Sequence, residues 1–525
     1  MSALDPVSAA RFRGLALLAL ERPGCPFREL PQRLLVVDVV QQRLGLLAAG
    51  QLQLDVAVST ALNGIGNQEG SYRTPPGWHR VHARIGDGEP LGRVFRSRVP
   101  QADQWQGEAR DEDLILTRIL TLDGLEEGVN RGPGIDSLAR TIYIHGTNQE
   151  GLLGQPVSHG CVRVGNADVV RLHDAVEVGD VLVVVPEGLE DGLGLGRLHF
   201  AGCAGVGMSA LVQMAAGEPV SGSDRSLDRG ERPEIRQRLE TLGVKLFPQD
   251  GSGVRGDCAA LVVSTAVEET VADVAEARRL GVPILHRSDL LAHLVARHRT
   301  LAVTGTSGKS TTTALVFELL QAAGRDPSLA TGADLVSLQA RGAWGNAWRG
   351  ASDLLVVEAD ESDGSLVRYR PEVGVVLNLQ RDHKAPEVVL DFFRTFRAHT
   401  RGPLILGEDA NLDDLRDSAL TFGFSEGADL RAVDLELKPE GSAFTVEGLR
   451  FTLPLPGRHN VSNALAALAA CRAVGVPLPH LVGPLAAFQG VARRFQVVGC
   501  RRGITVVDDF AHNPDKIAAT LKTLH

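Results

Sequence analysis

Short apolar runs separated by turn-forming residues occupy the first third of the chain. LLVVDVV (34–40), LGLLAAG (44–50) and LDVAVSTA (54–61) follow one another closely, and NGIGNQEG and TPPGWH supply glycine and proline between later segments. Apolar runs of this length, bounded by turn residues, are typical of β-strands. The pattern therefore predicts a mainly β region over residues 33–186.

The segments on either side of this region have a different character. PEGLEDGLGLG is rich in glycine and acidic residues and has no apolar periodicity, which predicts a linker at 187–197. Residues 1–32 are predicted to be an N-terminal leader. Its apolar run GLALLAL (14–20) is followed by ERP, where a signal peptide needs small residues, so a cleaved export signal is not expected.

From residue 198 onward, apolar strands lead into glycine turns and helices. LHFAG, CAGVGMSALVQMAAG and PVSGSD form one such succession, and TLAVTGTSGKSTTTALVFELLQAAG begins another. The alternation predicts α/β domains with parallel sheets at 198–295 and 296–486. Residues 487–525 begin a third α/β domain with one strand, a loop and one helix. These cannot close a sheet, so the domain is either truncated or completed by a partner.

Composition narrows the class of protein. The chain has 525 residues, 44% of them hydrophobic and 4% aromatic, with a net charge of -10. An acidic balance gives no electrostatic reason to expect nucleic acid, and no apolar run is long enough to span a membrane. The six cysteines contain no CxxC pair, which favours a reducing compartment. These features predict a cytoplasmic enzyme.

The segment TGTSGKST (304–311) has the residues of a phosphate-binding loop. Backbone N–H groups of a glycine turn at a helix start point towards an anion, and Lys309 would neutralise phosphate charge. Val303 stands where the full motif has its first glycine, so the loop is a variant. The strand before it and the helix after it favour ATP binding.

Carboxylates follow two of the predicted strands in this part of the chain. Ligands bind at the carboxyl ends of parallel strands in open α/β sheets, and hard oxygen ligands suit magnesium. The alternative is a solvated acidic turn. The residues concerned are Glu358, Asp360, Glu361 and Asp363 after LLVV, and Asn378, Asp382 and His383 after VGVVL.

Six motifs occur in a fixed order: TGTSGKSTT, VEADESD, NLQRDH, LPGRHNVSNALAA, FQGVARRF and DDFAHNP. In this order they resemble the Mur ligases, ATP-dependent amide ligases of peptidoglycan precursor synthesis. LHFAGCAGVGMSAL, VSGSD and TFGFSEGADLRA are similar to the branches of that family that use UDP-N-acetylmuramate. The resemblance covers 197–525. It implies ATP, Mg²⁺ and UDP-N-acetylmuramate, with L-alanine or a murein tripeptide as the amine.

The resemblance also implies roles for individual residues. Lys309, Glu358 and His383 would be catalytic, and Ser310, Glu358 and His383 would hold magnesium. UDP-sugar would contact Gly202, Gly205, Gly207 and Asp224. ATP would contact Gly305, Thr306, Ser307, Gly308, Lys309, Ser310, Thr311, His459, Asn460, Asn463, Arg493, Arg494 and His512.

Some of these residues could have a different role. Asn460 could instead cap the helix predicted after it. Asp224 would read a ribose if the first glycine turn bound NAD, although no hydride-transfer machinery accompanies it. Ala204, Ser307 and Asn513 depart from the family pattern and weaken the assignment of the substrate.

The segment SHGCVRV (158–164) places a cysteine beside a histidine, with a second histidine at the end of the predicted strand TIYIHG. A thiol becomes a nucleophile when a base stabilises its thiolate. A hairpin returning through Gly154 would bring His145 beside Cys161. A cysteine next to a histidine is, however, also a frequent coincidence.

IHGT, GQPVSHGCVRV and the upstream GSYRTPPGWHRVHARIG (70–86) resemble the YkuD-type L,D-transpeptidases, whose core is a β-sandwich. The resemblance covers about 33–186. It implies Cys161 as nucleophile on an L,D peptide bond of a murein tetrapeptide and His145 as base. The implied supporting residues are Ser158 and His159, which orient the site, the Gly160 and Cys161 amides as oxyanion donors, and Arg163 facing a substrate carboxylate.

The fold class expected overall is multidomain: a mainly β YkuD-type sandwich, a Rossmann-like UDP domain, a P-loop ATPase domain and the start of a third α/β domain. The hypothesis is a bifunctional cytoplasmic enzyme that trims murein peptides as an L,D-carboxypeptidase and ligates L-alanine or a peptide to UDP-N-acetylmuramate. Two alternatives stay open. One is an exported crosslinking transpeptidase with a vestigial ligase, and the other is a non-catalytic nucleotide- or UDP-sugar-binding scaffold.

Overall fold

The computed structural model describes residues 4–110, 112–188, 193–381, 384–502, 504–511 and 514–524. The chain forms two compact units. The first unit contains Met1–Gly202 and Ala215–His286, and the second contains Cys203–Met214 and Arg287–His525.

The N-terminal part of the first unit is mainly β, as the apolar runs predict. Its strands form one continuous sheet in the order β4-β10-β1-β2-β3-β9-β8-β7-β5-β6, and β4 also pairs with β7, so the sheet closes on itself. The elements are α1 (Pro6–Leu20), β1 (Arg33–Asp38), β2 (Arg43–Ala48), β3 (Gln51–Ser59), β4 (Gly77–Ile85), β5 (Arg93–Arg96), β6 (Val99–Gln104), β7 (Ile115–Gly124), β8 (Tyr143–Gly146), β9 (Val162–Val164), α2 (Asn166–Ala175) and β10 (Val181–Val185).

Helix α1 lies in the stretch predicted as a leader, and it is part of the packed interior of the first unit. Phe12, Leu15 and Ala16 contact Leu34 of β1 and Trp78 of β4 within one buried apolar cluster. The helix begins with Asp5, whose carboxylate accepts hydrogen bonds from two backbone amides of the first turn. The leader therefore serves as a structural element of this unit.

The chain then forms a parallel sheet in the order β13-β12-β11-β14-β15, also in the first unit. This confirms the strand–helix–strand pattern read from LHFAG to PVSGSD. The elements are β11 (Leu198–Ala201), α3 (Val206–Met214), β12 (Val220–Ser223), α4 (Arg225–Asp228), α5 (Pro233–Thr241), β13 (Lys245–Leu246), β14 (Ala260–Val263), α6 (Ala272–Arg279) and β15 (Ile284–His286). Of these, α3 belongs to the second unit. Residues 193–196, in the predicted linker, include the buried Leu193 and Leu195.

The second unit is built on a sheet in the order β18-β17-β19-β16-β20-β21-β22-β23, parallel except at β17–β18. Its elements are α7 (Arg287–Arg297), β16 (Arg299–Thr304), α8 (Lys309–Ala322), β17 (Ser328–Ala330), α9 (Val336–Ala340), β18 (Ala347–Trp348), β19 (Leu354–Glu358), β20 (Val373–Val376), α10 (Pro386–His399), β21 (Leu404–Gly407), β22 (Leu420–Gly423), β23 (Leu430–Arg431), β24 (Val433–Lys438), β25 (Gly441–Val446), β26 (Leu449–Leu453), α11 (Arg458–Ala473), α12 (Val482–Ala486), β27 (Gln496–Arg501), β28 (Ile504–Asp508) and α13 (Pro514–Leu524).

Helices α8 and α11 pack against each other within the main core of this unit. Their first turns carry the residues expected to hold nucleotide, so the core fixes these two helix starts relative to each other. The last segment differs from the expectation of one strand and one helix, because β27 and β28 form an antiparallel hairpin before α13. No helix in the described ranges is long and apolar enough to cross a membrane.

Candidate active sites

Strand pairing brings the segments that carry the thiol and the predicted base next to each other in the closed sheet. Strands β8 and β9 run parallel, with His145 opposite Arg163. Because side chains alternate along a strand, Tyr143 and His145 share a face with Arg163, and Cys161 directly precedes β9. The Cys161 thiol lies against Tyr143, two residues before His145, and the pairing of His145 with Cys161 stays a prediction. The connection between them is a crossover between parallel strands, and the hairpin expected at Gly154 is wrong.

The Cys161 thiol is held by backbone groups. Its Sγ accepts a hydrogen bond from the Tyr143 amide at 3.4 Å and donates to the Thr141 carbonyl at 3.5 Å. Burial raises the pKa of Cys161 to about 11, and the Asp113 carboxylate adds to this effect, while Arg163 and Arg140 oppose it. The free thiol is thus protonated at neutral pH and needs a base to become a nucleophile.

His145 is the residue predicted to be this base. Its side chain is 3% exposed, and Nδ1 lies 2.8 Å from the carbonyl oxygen of Gly146. Because a carbonyl only accepts, Nδ1 carries the proton of the neutral ring and Nε2 carries the lone pair. Burial lowers the pKa of His145, so at neutral pH the imidazole is neutral and Nε2 can accept a proton.

Ser158 organises the turn that carries the thiol. Its Oγ donates to the Cys161 carbonyl at 2.6 Å and accepts from the Gly160 amide at 3.2 Å. Gly160 has φ +128°, a backbone conformation that favours glycine. The Gly160 amide, predicted as an oxyanion donor, is thus held by Ser158 in this structure.

Arg163 forms an ion pair in a buried position. Its side chain is 1% exposed, Nη1 donates to Gln149 Oε1 at 2.8 Å, and Nη2 donates to Asp113. Asp113 also lies 3.2 Å from Nδ1 of the exposed His159, whose ring meets that of Tyr72 edge-on. A substrate carboxylate would have to replace Asp113 to reach Arg163, so that role stays a prediction.

In the second unit, the phosphate loop is clamped by Asn378, which follows β20. Asn378 Oδ1 accepts hydrogen bonds from Thr306 Oγ1 at 2.8 Å and the Ser307 amide at 2.9 Å, and its Nδ2 donates to the Ser307 carbonyl. Gly305 has φ +137°, and a Cβ there would lie 2.9 Å from Leu377 Cβ. The loop conformation therefore depends on the neighbouring strand as well as on its glycines.

Lys309 points back across this loop. Its Nζ donates to the Gly305 carbonyl at 2.9 Å and to Glu361 Oε2 at 2.7 Å, and lies 3.7 Å from Asp360. Burial opposes the ammonium, but the charges of Glu361 and Asp360 outweigh it and raise the pKa of Lys309. The lysine is therefore charged and is paired with Glu361.

Ser310 and Glu358 form a pair of hard oxygen donors at the start of α8. Ser310 Oγ donates to Glu358 Oε1 at 3.0 Å, while Glu358 Oε2 accepts from Thr331 Oγ1 and the Gly332 amide. A hydroxyl and a carboxylate at this spacing fit a magnesium ion that takes its other ligands from water and phosphate. Among the described residues, no group of three His, Cys, Asp or Glu side chains could hold a metal by itself.

The start of α11 lies against the phosphate loop. A Cβ on Gly308, which has φ +89°, would be 2.3 Å from Asn463 Oδ1. Asn460 Nδ2 donates to the Pro456 carbonyl at 2.8 Å, whereas the helix cap is Gly457, so Asn460 is not the N-cap residue. Burial lowers the pKa of His459, with the Asp509 charge opposing it.

The two arginines after α12 approach the same region. Arg494 Nη2 donates to Ser310 Oγ at 3.4 Å, and the guanidinium groups of Arg493 and Arg494 lie over the Phe510 ring. The predicted nucleotide residues Lys309, Ser310, Asn463 and Arg494 thus belong to one connected site. Predicted residues His383 and His512 lie outside the described residues.

The predicted UDP-sugar residues have local structural roles. Gly202, with φ +75°, follows β11 and donates its amide to the Ser223 carbonyl. Gly205 accepts the first hydrogen bond of α3 from Ser209. Asp224 caps α4 by accepting from the Ser226 amide and hydroxyl. In the second unit, the ideal Cβ position of Gly207 lies 3.2 Å from Arg287 Nη1. Substrate contacts for these residues stay predictions.

Comparison with family models divides the chain in the same way as the two kinds of site. The L,D-transpeptidase catalytic domain (YkuD) model matches residues 32–185. Models of the Mur ligase family match 197–299 for the catalytic domain, 303–471 for the middle domain and 493–525 for the glutamate ligase domain.

A UDP-N-acetylmuramate–L-alanine ligase of Paenarthrobacter aurescens is 39% identical over 349 residues, which span 62% of this chain and 73% of that protein. The chain belongs to the Mur ligase family. The match to the YkuD model makes this Mur ligase a fusion with a YkuD-type domain, as the motifs predicted. A second relative, the ligase of the same name from Solibacter usitatus, is 38% identical over 343 residues.

Two solved structures resemble this Mur ligase over its ligase part. The UDP-N-acetylmuramate–alanine ligase of Thermotoga maritima is 29% identical with a TM-score of 0.54, covering 62% of this chain and 77% of that one. The UDP-N-acetylmuramate:L-alanyl-γ-D-glutamyl-meso-diaminopimelate ligase of Neisseria meningitides is 26% identical with a TM-score of 0.50, covering 57% and 99%.

Sequence reasoning missed several residues that shape the two sites of this Mur ligase. Asp113 and Gln149, which hold Arg163, were not predicted. Asn378 and Glu361 were considered only as metal ligands. In the structure Asn378 binds the phosphate loop and Glu361 binds its lysine. A polar residue directly after a strand was a usable signal for Asn378. Asp113 carries no such signal, since it lies 50 residues from Arg163 in a segment without motif.

Proposed function

We propose that this Mur ligase is a bifunctional enzyme of peptidoglycan precursor metabolism. Its ligase part joins L-alanine or a murein peptide to UDP-N-acetylmuramate with cleavage of ATP. Its YkuD domain removes the terminal D-alanine from murein tetrapeptides as an L,D-carboxypeptidase. The observation that supports the proposal is a neutral His145 on the strand next to the one that follows the protonated Cys161, in a chain that also has Lys309 in a phosphate loop.

The YkuD chemistry follows from the protonation states. His145 Nε2 takes the proton of the Cys161 thiol, and the thiolate attacks the carbonyl carbon of the L,D peptide bond. The C–N bond breaks, and D-alanine leaves after its nitrogen takes the proton from His145. Water then attacks the thioester, gives its proton to His145 and restores the thiol. Ser158 supports this cycle by fixing the turn around Cys161.

The ligase chemistry requires the chain mainly to position charge. Lys309 and the loop amides bind the β- and γ-phosphates of ATP, and Arg494 approaches from the other side of Ser310. Ser310 and Glu358 would hold magnesium, which neutralises phosphate charge when bound. The sugar carboxylate then acquires a phosphoryl group from ATP, and the incoming amine displaces phosphate to form the amide.

Two findings favour different amines. The 39% identity to an L-alanine ligase supports L-alanine. The fused YkuD domain supports a tripeptide, because trimming of a tetrapeptide would produce it, and the structural match to a ligase whose name includes a tripeptide agrees. Incubation with UDP-N-acetylmuramate, MgATP and either amine distinguishes them. Product with L-alanine alone would exclude the tripeptide.

Variants separate the two activities. Cys161→Ala should abolish release of D-alanine from tetrapeptide and leave ATP-dependent ligation intact, while Lys309→Ala should do the reverse. Cys500→Ala, at an exposed thiol of the second unit, is the matched control. Cleavage that survives Cys161→Ala would refute the nucleophile. Transfer to an added amine acceptor, with little hydrolysis, would indicate a transpeptidase. Because ATP and UDP-sugars are intracellular, we place both reactions in the cytoplasm.

A further inference from the structure

The YkuD domain and the parallel sheet of β11–β15 meet within the first unit at a joint made of backbone. Gly50 has φ +77° and Gly281 has φ +63°. A Cβ on Gly50 would lie 2.3 Å from the Gly281 carbonyl oxygen, and a Cβ on Gly281 would lie 2.2 Å from that of Ala49. The two backbone segments are therefore in direct contact, and neither glycine has room for a side chain. At this joint the YkuD domain and the parallel sheet thus contact each other through their backbones.

Helix α1 completes this joint through two arginines. Arg11 pairs with Asp38 at 2.6 Å in a buried position. Arg13 has no carboxylate partner among the described residues: its Nε donates to the Cys258 carbonyl and its Nη2 to the Gly256 carbonyl, both at 2.9 Å. A guanidinium has five N–H donors, so the two on Nη1 stay unused. Arg13 is 5% exposed and thus carries a buried, uncompensated positive charge.

A cavity of about 530 Å³ opens beside this arginine. Nη1 of Arg13 lies 3.0 Å from the ideal Cβ position of Gly50, and Arg13 and Gly50 both line the cavity. Leu17, Leu20, Leu34, Leu47 and Leu280 supply apolar wall. The volume lies within the range of small-molecule sites, and an apolar wall with one charged anchor is their usual composition.

Charge at the cavity favours an anion. Arg28 lines it and has no ion-pair partner in the described part of the chain. Arg278 and Arg279 also line it but are paired with Glu269 and Glu276. The acid Asp257 is engaged by Arg197. The acid Glu29 also lines the cavity and offsets one of the two remaining cations, Arg13 and Arg28, so one net positive charge is left to meet a ligand.

We propose that this cavity binds a small amphipathic anion, with a carboxylate or phosphate head at Arg13 Nη1 and an apolar group along the leucines. The site is separate from the thiol and from the phosphate loop, and it does not rest on the proposed function. A bound anion compensates the Arg13 charge inside the joint. Occupancy should therefore stabilise the first unit.

Calorimetric titration of the full chain tests the proposal with a matched set of probes. Hexanoate and hexyl phosphate combine head and tail, acetate and inorganic phosphate have the head alone, and 1-hexanol has the tail alone. We expect at least one of the two amphiphiles to bind saturably, with one molecule per chain. Its affinity should be about tenfold or more higher than that of the matching head-group anion and that of 1-hexanol. Which amphiphile binds distinguishes a carboxylate ligand from a phosphate ligand.

Two variants locate the binding. Leu17→Trp should fill the cavity and abolish binding without touching the joint, and Arg13→Gln should weaken it by about tenfold or more. A thermal melt reports whether each variant folds. If Arg13→Gln does not fold, Leu17→Trp still tests the proposal. Three results would overturn the proposal: no saturable binding of either amphiphile, equal binding of 1-hexanol, or binding that survives Leu17→Trp. Undiminished binding in a folded Arg13→Gln protein would remove Arg13 as the anchor.

Discussion

Lys309 Nζ donates a hydrogen bond to Glu361 Oε2 over 2.7 Å, and the Glu361 side chain is only 3% exposed. The lysine expected to bind nucleotide phosphates is thus already paired with a carboxylate of its own chain. Phosphate must compete with Glu361 for the ammonium, and the carboxylate also repels phosphate. We therefore expect Glu361 to limit how readily the loop binds nucleotide.

Glu361→Gln should tighten the binding of ATP and ADP by about three- to tenfold, since competition and repulsion are removed while Asp360 still favours the charged lysine. Titration with a fluorescent nucleotide measures the effect. Asp363→Asn is the control, because it removes one negative charge from the same segment and Asp363 pairs instead with Arg287. Unchanged or weaker binding in Glu361→Gln would contradict the competition.

The Cys161 thiol should react with iodoacetamide at a rate that keeps rising up to about pH 11, because burial raises its pKa to about 11. Asp113→Asn should move this profile to lower pH, since the carboxylate disfavours the thiolate. Arg140→Gln should move it to higher pH, since the arginine favours the thiolate. Peptide-resolved mass spectrometry follows each cysteine, with the exposed Cys500 as internal reference. Shifts in the same direction for both variants would show that these charges do not control the thiol.

Apolar runs and turn residues along the sequence predicted much of the fold, but they did not predict which distant segments contact each other. The apolar runs near Leu34 and Leu46 are strands, and the glycine turn before Lys309 joins a strand to a helix as expected. The parallel pairing of β8 with β9 was predicted wrongly as a hairpin, because register and direction depend on strands far along the chain. Asp113 was missed for the same reason, since only folding brings it to Arg163.

Gly50→Ala should destabilise the first unit by about 1–3 kcal/mol more than Gly64→Ala. Both glycines have φ +77°, so the backbone strain of the substitution is matched, but no atom lies within 4 Å of a Cβ at Gly64. At Gly50 the new methyl would meet the Gly281 carbonyl oxygen at 2.3 Å. Thermal or urea unfolding compares the two variants. Equal losses of stability would mean that the joint adapts to a side chain.

His79 should make the first unit less stable in mild acid. It lies on β4 with no exposed surface, Nδ1 is 3.0 Å from the Gly77 carbonyl oxygen and Nε2 is 2.9 Å from Ser137 Oγ. Burial lowers its pKa from 6.5 to about 4, so between these values the unfolded chain binds a proton that the folded protein excludes. The contribution of His79 is complete above pH 6.5, and up to about 3 kcal/mol is lost as the pH falls to about 4. Urea midpoints measured from pH 7.5 to 4.5 should fall more steeply for the wild type than for His79→Gln. The exposed His82→Gln on the same strand should keep the wild-type slope, and a wild-type slope in His79→Gln would assign the acid sensitivity to other groups.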